Sequence, residues 1–552
     1  MKRYLIITVA ALLSMSISSC TDLDVAPDGK IFTEEQKNAV VEKDPSKLAA
    51  DITGMYAVMG LSYYPFERDE ALGYTTYAFS MDANGPDAPT TNVFDWFEVC
   101  ASYEDRVISY VNPRMRWNIF WTQCKQANDI IVALGESPDT DLGKYYKGMA
   151  HAVRAFDHLS LVVCYQFTYK GNEDKPGIPI MDIEAASGFD ANVGLPRQPL
   201  SDVFQFIMDD LNTAVSLLEG YTRSAKSHID KAVALGLRAR TNLIMNNWDA
   251  AAADAKAALA AGSYTSLAFA EITGPGFVSA NDHNWMWAIL DSPDTHVAGW
   301  ISWESHMSSF CGNSYGAWSG NYRMINRLLW NKIPSSDVRK GWWVDDDLYS
   351  PLIEGRSWYG ESETGVDMAE ATYQDIKEPF VPLTNVKFSA YQNILGNPDV
   401  GADWCLMRAE EMLLIQAEAE AMGTAGVAIA KTTLEGFVKT NRDPSYAVTA
   451  VDPAAFQLEV WKQRRIELWG EGFSMFDIMR LKKPVVRFHD VVSEDDSNYD
   501  PLYQFNIAAD DGYLLLRFPQ AETNANKGLV NNTGGSMPLS GKNPSLRDGV
   551  TD

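Results

Sequence analysis

The chain has 552 residues, 46% of them hydrophobic, and a formal net charge of −27 from 46 Lys plus Arg against 73 Asp plus Glu. A chain of this length can bury a large core, and its composition excludes collagen-like, wholly disordered and disulfide-scaffold proteins. No basic stripe is visible, so nucleic acid is excluded as a partner, and anionic lipid is a poor match for the folded body.

Lys2 and Arg3 precede an apolar run from Leu5 to Leu13 and then small residues. That order is a charged region, a short hydrophobic region and a cleavage site, too short to span a bilayer. Ile17-Ser18-Ser19-Cys20 resembles a bacterial lipobox, in which Cys20 is acylated and becomes the new N-terminus. The alternative is ordinary secretion with an incidental cysteine. Each buried methylene of an acyl chain contributes about 0.8 kcal/mol, so several chains hold a protein firmly to a membrane. Removing residues 1–19 takes the formal charge to −29. Cys100, Cys124, Cys164, Cys311 and Cys405 show no C-x-x-C or metal-ligand spacing, and five cannot all pair. Mostly free, buried thiols are expected.

Helical periodicity begins near Ser46. It continues through Pro113–Leu134, Lys144–Phe167, a segment opened by Ser201 as N-cap, and a hairpin of Asp230–Met245 and Trp248–Ala261 closed by Gly262. Paired helices of this length resemble tetratricopeptide-type units, although no strict 34-residue signature recurs. From about 266 to 402 the pattern lapses into a loop-rich, aromatic-rich stretch, in which only Tyr322–Trp330 reads as helix. Trp285 and Trp287 alternate with Met286 and Ala288 as a buried strand would. Helices return at Trp404–Met422, about Ala425–Asn441 and Pro453–Lys482, before a tail of low periodicity.

The expected divisions are a signal peptide at 1–19, a lipidated tether at 20–45 and an N-terminal helical scaffold at 46–265. A ligand-binding insertion at 266–402, scaffold helices at 403–483 and a tail at 484–552 follow. The fold class is mainly α: tetratricopeptide-like helical hairpins carrying one large loop-rich insertion.

The last long helix carries Arg464-Arg465-Ile-Glu467-Leu-Trp469-Gly-Glu471-Gly472, followed by Phe476-Asp477 and Arg480. This resembles the R-R-x-E-L-x-x-E-G and F-D-x-x-R pattern of the SusD/RagB outer-membrane lipoproteins. Arg408-Ala-Glu410 with Ala417-Glu418-Ala419 is similar to a second helix of that family. Arg154-Ala155-Phe156 with Leu159, followed by Gly177-Ile-Pro179, is similar to a third. Trp121 through Asn128 and the Cys20 lipobox also fit; Cys124 and His158 depart from the pattern. The resemblance implies an outer-membrane, surface-exposed, lipid-anchored binding protein. It also implies a SusC-like TonB-dependent transporter as partner, and oligosaccharide, or peptide in the RagB branch, as ligand. Arg464, Arg465, Glu467, Glu471 and Asp477 read as ion pairs and helix caps rather than as chemistry.

Tests for catalysis fail. Gly312-Asn-Ser314-Tyr-Gly316 matches G-x-S-x-G but follows an aromatic loop rather than a buried strand. Gly535 to Asn543 imitates a phosphate loop with the wrong spacing. His151 and His158 share one helix face as core or groove polar groups. Among 73 acidic residues no glycosidase pair can be singled out, and the run 494–496 reads as a solvated loop. No cofactor is expected; a structural calcium could sit at Asp345-Asp346-Asp347 or Asp510-Asp511-Gly512, neither with EF-hand spacing.

Sugar recognition needs aromatic faces for C–H surfaces and polar groups for hydroxyls. Asp82, Asn84 and Asp87, on a Gly/Pro loop with Trp96 beyond it, supply one such mixture; Trp300, Trp303, Tyr315 and Trp318 supply another. In relatives these two regions meet on one face. Tyr391 is a further candidate. The expected function is non-catalytic capture of oligosaccharide or polysaccharide at the cell surface. Peptide capture on the same scaffold is the alternative, and a surface glycoside hydrolase a third reading.

Overall fold

The computed structural model describes residues 34–64, 66–90, 95–359, 366–367, 380–489, 497–535 and 542–552. The leader, Cys20, the acidic run 494–496 and most of the phosphate-loop imitation lie outside them. Twelve longer helices carry the architecture: α1 Glu34–Lys43, α2 Ala49–Ala57, α3 Tyr74–Asn84, α4 Val111–Ala133, α5 Asp141–Tyr165, α6 Leu200–Leu217, α7 Lys231–Ile244, α8 Trp248–Gly262, α9 Ala409–Met422, α10 Val427–Asn441, α11 Pro453–Glu467 and α12 Ser474–Leu481.

From α4 to α9 each helix packs on the next, and α9 also takes α10 and α11, so the scaffold is a stack of antiparallel hairpins as expected. Buried Arg forks tie the stack where apolar faces leave a gap. Arg154 donates to both oxygens of Asp210 at 2.8 and 2.7 Å and to Asn128 Oδ1 at 2.7 Å, joining α4, α5 and α6. Arg240 grips Glu411 at 2.5 and 2.6 Å, joining α7 to α9. His151 and His158 serve the same scaffold: His151 bonds Asp210, and His158 bonds the Arg154 carbonyl and the Met181 N–H.

Several local expectations change. Trp404–Met422 is not one helix: Trp404–Arg408 is a strand, antiparallel to Trp285–Ile289, and α9 starts at Ala409. The strand buries Trp285 and Trp287 completely. Ser201 lies inside α6, which starts at Leu200 without a side-chain cap. Gly262 is the last residue of α8, and Ser263 takes the left-handed conformation that ends it. Within Tyr322–Trp330 only Arg327–Trp330 is helical, capped by Asn326, because Met324 instead bridges to Thr384.

Pro453–Lys482 is also two helices. Gly470 (φ 79°) and Gly472 (φ 86°) turn the chain between them, a conformation that residues with a Cβ rarely adopt. A Cβ on Gly472 would lie 2.8 Å from the Ala78 backbone, so the turn is also a close contact with α3. The motif residues thus span α11, the turn and α12. Arg464 pairs with Asp477, and Arg480 with Asp477 and Glu418. Glu467 receives Arg408 at 2.8 Å, Arg442 at 2.9 Å and Arg339 at 3.1 Å, while Glu471 receives Arg408 at 2.8 Å and Lys387 at 2.6 Å. Arg339 and Lys387 belong to the 266–402 stretch, so this buried cluster fastens that stretch to the scaffold.

All five described cysteines are free thiols. Among the described residues no helix is long and apolar enough to cross a membrane.

Candidate functional site

Asp82, Asn84 and Asp87 do not reach a ligand face. Asp82 and Asn84 form the last turn of α3, a helix buried on every side and therefore without the apolar periodicity that would have revealed it. Asp82 accepts the Gly472 and Ser474 N–H groups at 2.9 and 3.3 Å. Asn84 donates to the Cys100 carbonyl and accepts from Arg106. Asp87 is gripped by Arg465 at 2.9 and 2.7 Å. Each is engaged by the interior, so these three are corrected to structural residues.

Trp303 changes likewise. It opens a short helix, Trp303–Met307, donates from Nε1 to the Ala402 carbonyl at 2.7 Å and packs edge-on against Trp404 at 5.0 Å. Only 4% of it is exposed.

Three of the nominated side chains, Trp96, Tyr315 and Trp318, do stand at the surface around one another. The Trp96 and Tyr315 rings lie 4.7 Å apart, and Trp318 lies 6.1 Å from Tyr315. His306, which the sequence reading missed, packs under both, 4.6 Å from Trp96 and stacked on Tyr315 at 5.0 Å. The His306 ring hydrogen-bonds the Trp300 backbone, which places Trp300 beside the platform. Trp300 is 50% exposed and Trp318 is 56% exposed; Trp96 and Tyr315 are half-buried. No ring contact joins Tyr391 to the cluster; its backbone N–H donates to Glu304.

The platform is held from below. Arg323 donates to Asp95, at 2.9 Å to Oδ1, and its Nε donates to the His306 carbonyl at 3.2 Å. The Asp95 carboxyl sits below its ordinary range: burial would raise it, but Arg323, Thr90 and the Phe97 N–H outweigh burial. Burial pushes His306 down to about 3, so the imidazole is neutral. Ser305 Oγ accepts the Tyr315 N–H and donates to the Asn313 carbonyl, docking the Tyr315 turn onto the Trp303–Met307 helix. Glu304, on that same helix, accepts from Tyr391 at 2.6 Å, Gly401 at 3.1 Å and Ala402 at 3.2 Å, and burial raises it to about 7.

Chemically, such a site offers flat apolar rings at a solvent edge and no converging nucleophile. Ser314 of the G-x-S-x-G match follows a turn, with no strand ahead of it. Among the described residues no three His, Cys, Asp or Glu side chains converge as metal ligands. Of the calcium candidates, Asp345 accepts backbone N–H groups of Asp347 and Tyr349, Asp346 pairs with Arg327, and Asp511 caps a turn at Tyr513. A separate cavity of about 240 Å³, between α4 and residues 58–76, is lined by apolar Val58, Leu61, Phe66, Met115 and Ile119 together with Tyr64, Thr76, Asn118 and Thr122.

Residues 355–534 match the model of the SusD family. No curated protein matches the sequence significantly. Among solved structures, the fold is similar to a SusD-like carbohydrate-binding protein from Bacteroides vulgatus, at 22% identity, covering 88% of this chain and 97% of that one with a TM-score of 0.67. It is similar to a SusD superfamily protein from Bacteroides thetaiotaomicron, at 18% identity, 88% and 99% coverage and a TM-score of 0.67. A laminarin-binding SusD-like protein aligns at 16% identity over 89% of this chain and 99% of its own, with a TM-score of 0.61. The family's model thus covers the C-terminal third of the chain, and along most of its length the fold is similar to that of SusD superfamily structures.

Proposed function

We propose that this protein captures oligosaccharide or polysaccharide at the cell surface and passes it, unaltered, to a SusC-like TonB-dependent transporter. In this reading acyl chains on Cys20 hold it to the outer membrane. The observation that carries the reading is the solvent-edge platform of Trp96, Tyr315 and Trp318 over a neutral, fixed His306. Aromatic faces bury the C–H surface of a pyranose for roughly 1–2 kcal/mol each. A few such contacts give about micromolar to millimolar affinity, suited to capture and release. The carbohydrate-binding and laminarin-binding structures of the same fold support the ligand class. Absence of catalysis is supported by the commitment of two carboxylates on the elements that hold the platform: Asp95 is spent on Arg323, and Glu304 on three backbone N–H groups.

Calorimetric titration of the chain from Thr21 onward with soluble glycans and a peptide mixture tests the proposal. Saturable heat with a glycan, lost in Trp318→Ala, is expected. Heat from peptides alone would replace it with peptide capture, and turnover of any glycan would end the non-catalytic reading.

A further inference from the structure

The segments that build the platform lack positive charge. Residues 69–105, 257–322 and 388–407 supply Trp96, Trp300, His306, Tyr315, Trp318 and Tyr391, and contain no lysine or arginine, although the chain has 46. The same stretches hold Asp69, Glu70, Glu98, Asp294 and Asp399, all at least partly exposed.

Among the described residues, three basic side chains of the adjoining elements are already committed. Arg323, beneath the rings, is buried and paired with Asp95. His296 pairs with Asp291, and Arg327 with Asp346. Arg68, which precedes the first stretch, lies between Glu67 and Asp69 in sequence. Asp69 and Asp95 both act on the Tyr315 hydroxyl, which burial already raises. A carboxylate or sulfate on a ligand is ordinarily met by an Arg fork or a Lys ammonium. Here it would meet an acidic field instead.

We infer that the platform selects uncharged glycans and rejects uronate- and sulfate-bearing ones. This rests on the reading of the platform as a glycan site.

The test titrates the chain from Thr21 onward with neutral hexasaccharides of α-glucan, β-glucan, mannan and xylan. Length-matched oligogalacturonate and a sulfated glycosaminoglycan hexasaccharide serve as anionic probes, all at about 20 mM and about 300 mM salt. Expected is binding of at least one neutral probe, with a Kd that moves less than about twofold between the two salts, and anionic probes at least about tenfold weaker. Asp69→Lys is expected to tighten the anionic probes and leave the neutral one unchanged. An anionic probe that binds as tightly as any neutral one, and loses its affinity in Trp318→Ala, overturns the charge selection while the glycan reading stands. Failure of every probe, or binding indifferent to Trp96→Ala, Tyr315→Ala and Trp318→Ala, overturns the glycan reading and the selection with it.

Discussion

At Trp303 and Trp318, fifteen residues apart, the same side chain does opposite work. Trp318 stands in solvent, so Trp318→Ala is expected to weaken glycan binding by about 1–2 kcal/mol, roughly five- to thirtyfold, with an unchanged urea midpoint. Trp303 is buried against Trp404, and Trp303→Ala is expected to cost about 3–5 kcal/mol of stability by leaving a cavity and an unpaired Ala402 carbonyl. Calorimetry and urea unfolding on the two variants separate the roles; a stability loss in Trp318→Ala would contradict the assignment. Aromatic richness made the region legible in the sequence, but burial is set by partners a hundred residues away, which no local pattern encodes. His306 was invisible for the same reason, since a lone histidine in a Ser/Glu context carries no signal until Trp96 and Tyr315 close over it.

The elements around the site are fixed by buried charge, and that makes their stability a function of pH. Asp82 and Glu304 are both raised to about 7, with burial the first cause, against about 4 in an unfolded chain. The folded protein holds these protons more tightly. Their contribution is therefore full below about pH 4 and is lost as pH rises through about 7. Burial would raise Glu467, Glu471 and Asp477 too, but the arginines and Lys387 around them hold all three below their ordinary values. Their contribution is present above about pH 4 and is lost below it. Urea midpoints are thus expected to peak between about pH 4 and 6, and Glu304→Gln to flatten the limb between pH 6 and 8. A wild-type profile level from pH 5 to 8 would contradict the two raised values. Glu467→Ala, which takes one carboxylate from buried Arg339, Arg408 and Arg442 and leaves them to Asp337, Glu471 and Glu410, is expected to cost about 3–5 kcal/mol in the same assay. Amphipathic helices such as α6 were legible from their apolar spacing. Helix α3 was not, being buried all round, and neither was the break between α11 and α12, where two glycines and a contact with Ala78 override a strong helical pattern.

Across the whole molecule the fold class was legible because hairpin helices of ordinary length repeat, and because motif residues recur in order. The loop-rich stretch was legible only as a lapse of periodicity. The free thiols predict that a reducing agent leaves Tm unchanged; a downward shift would reveal a disulfide. The longest-range contacts also set a timetable. Arg465 reaches back to Asp87, Arg487 to the Ala83 and Ala101 carbonyls, and Arg106 forward to Tyr513 and Leu514. At synthesis rates of about 5–20 residues per second, the α3 region waits roughly 20–80 s for those partners. The hairpins α4–α8 need only near neighbours and can close as they emerge. The α3 region, made early, is therefore among the last parts to be finished, and it stays open to a chaperone until the C-terminal residues arrive.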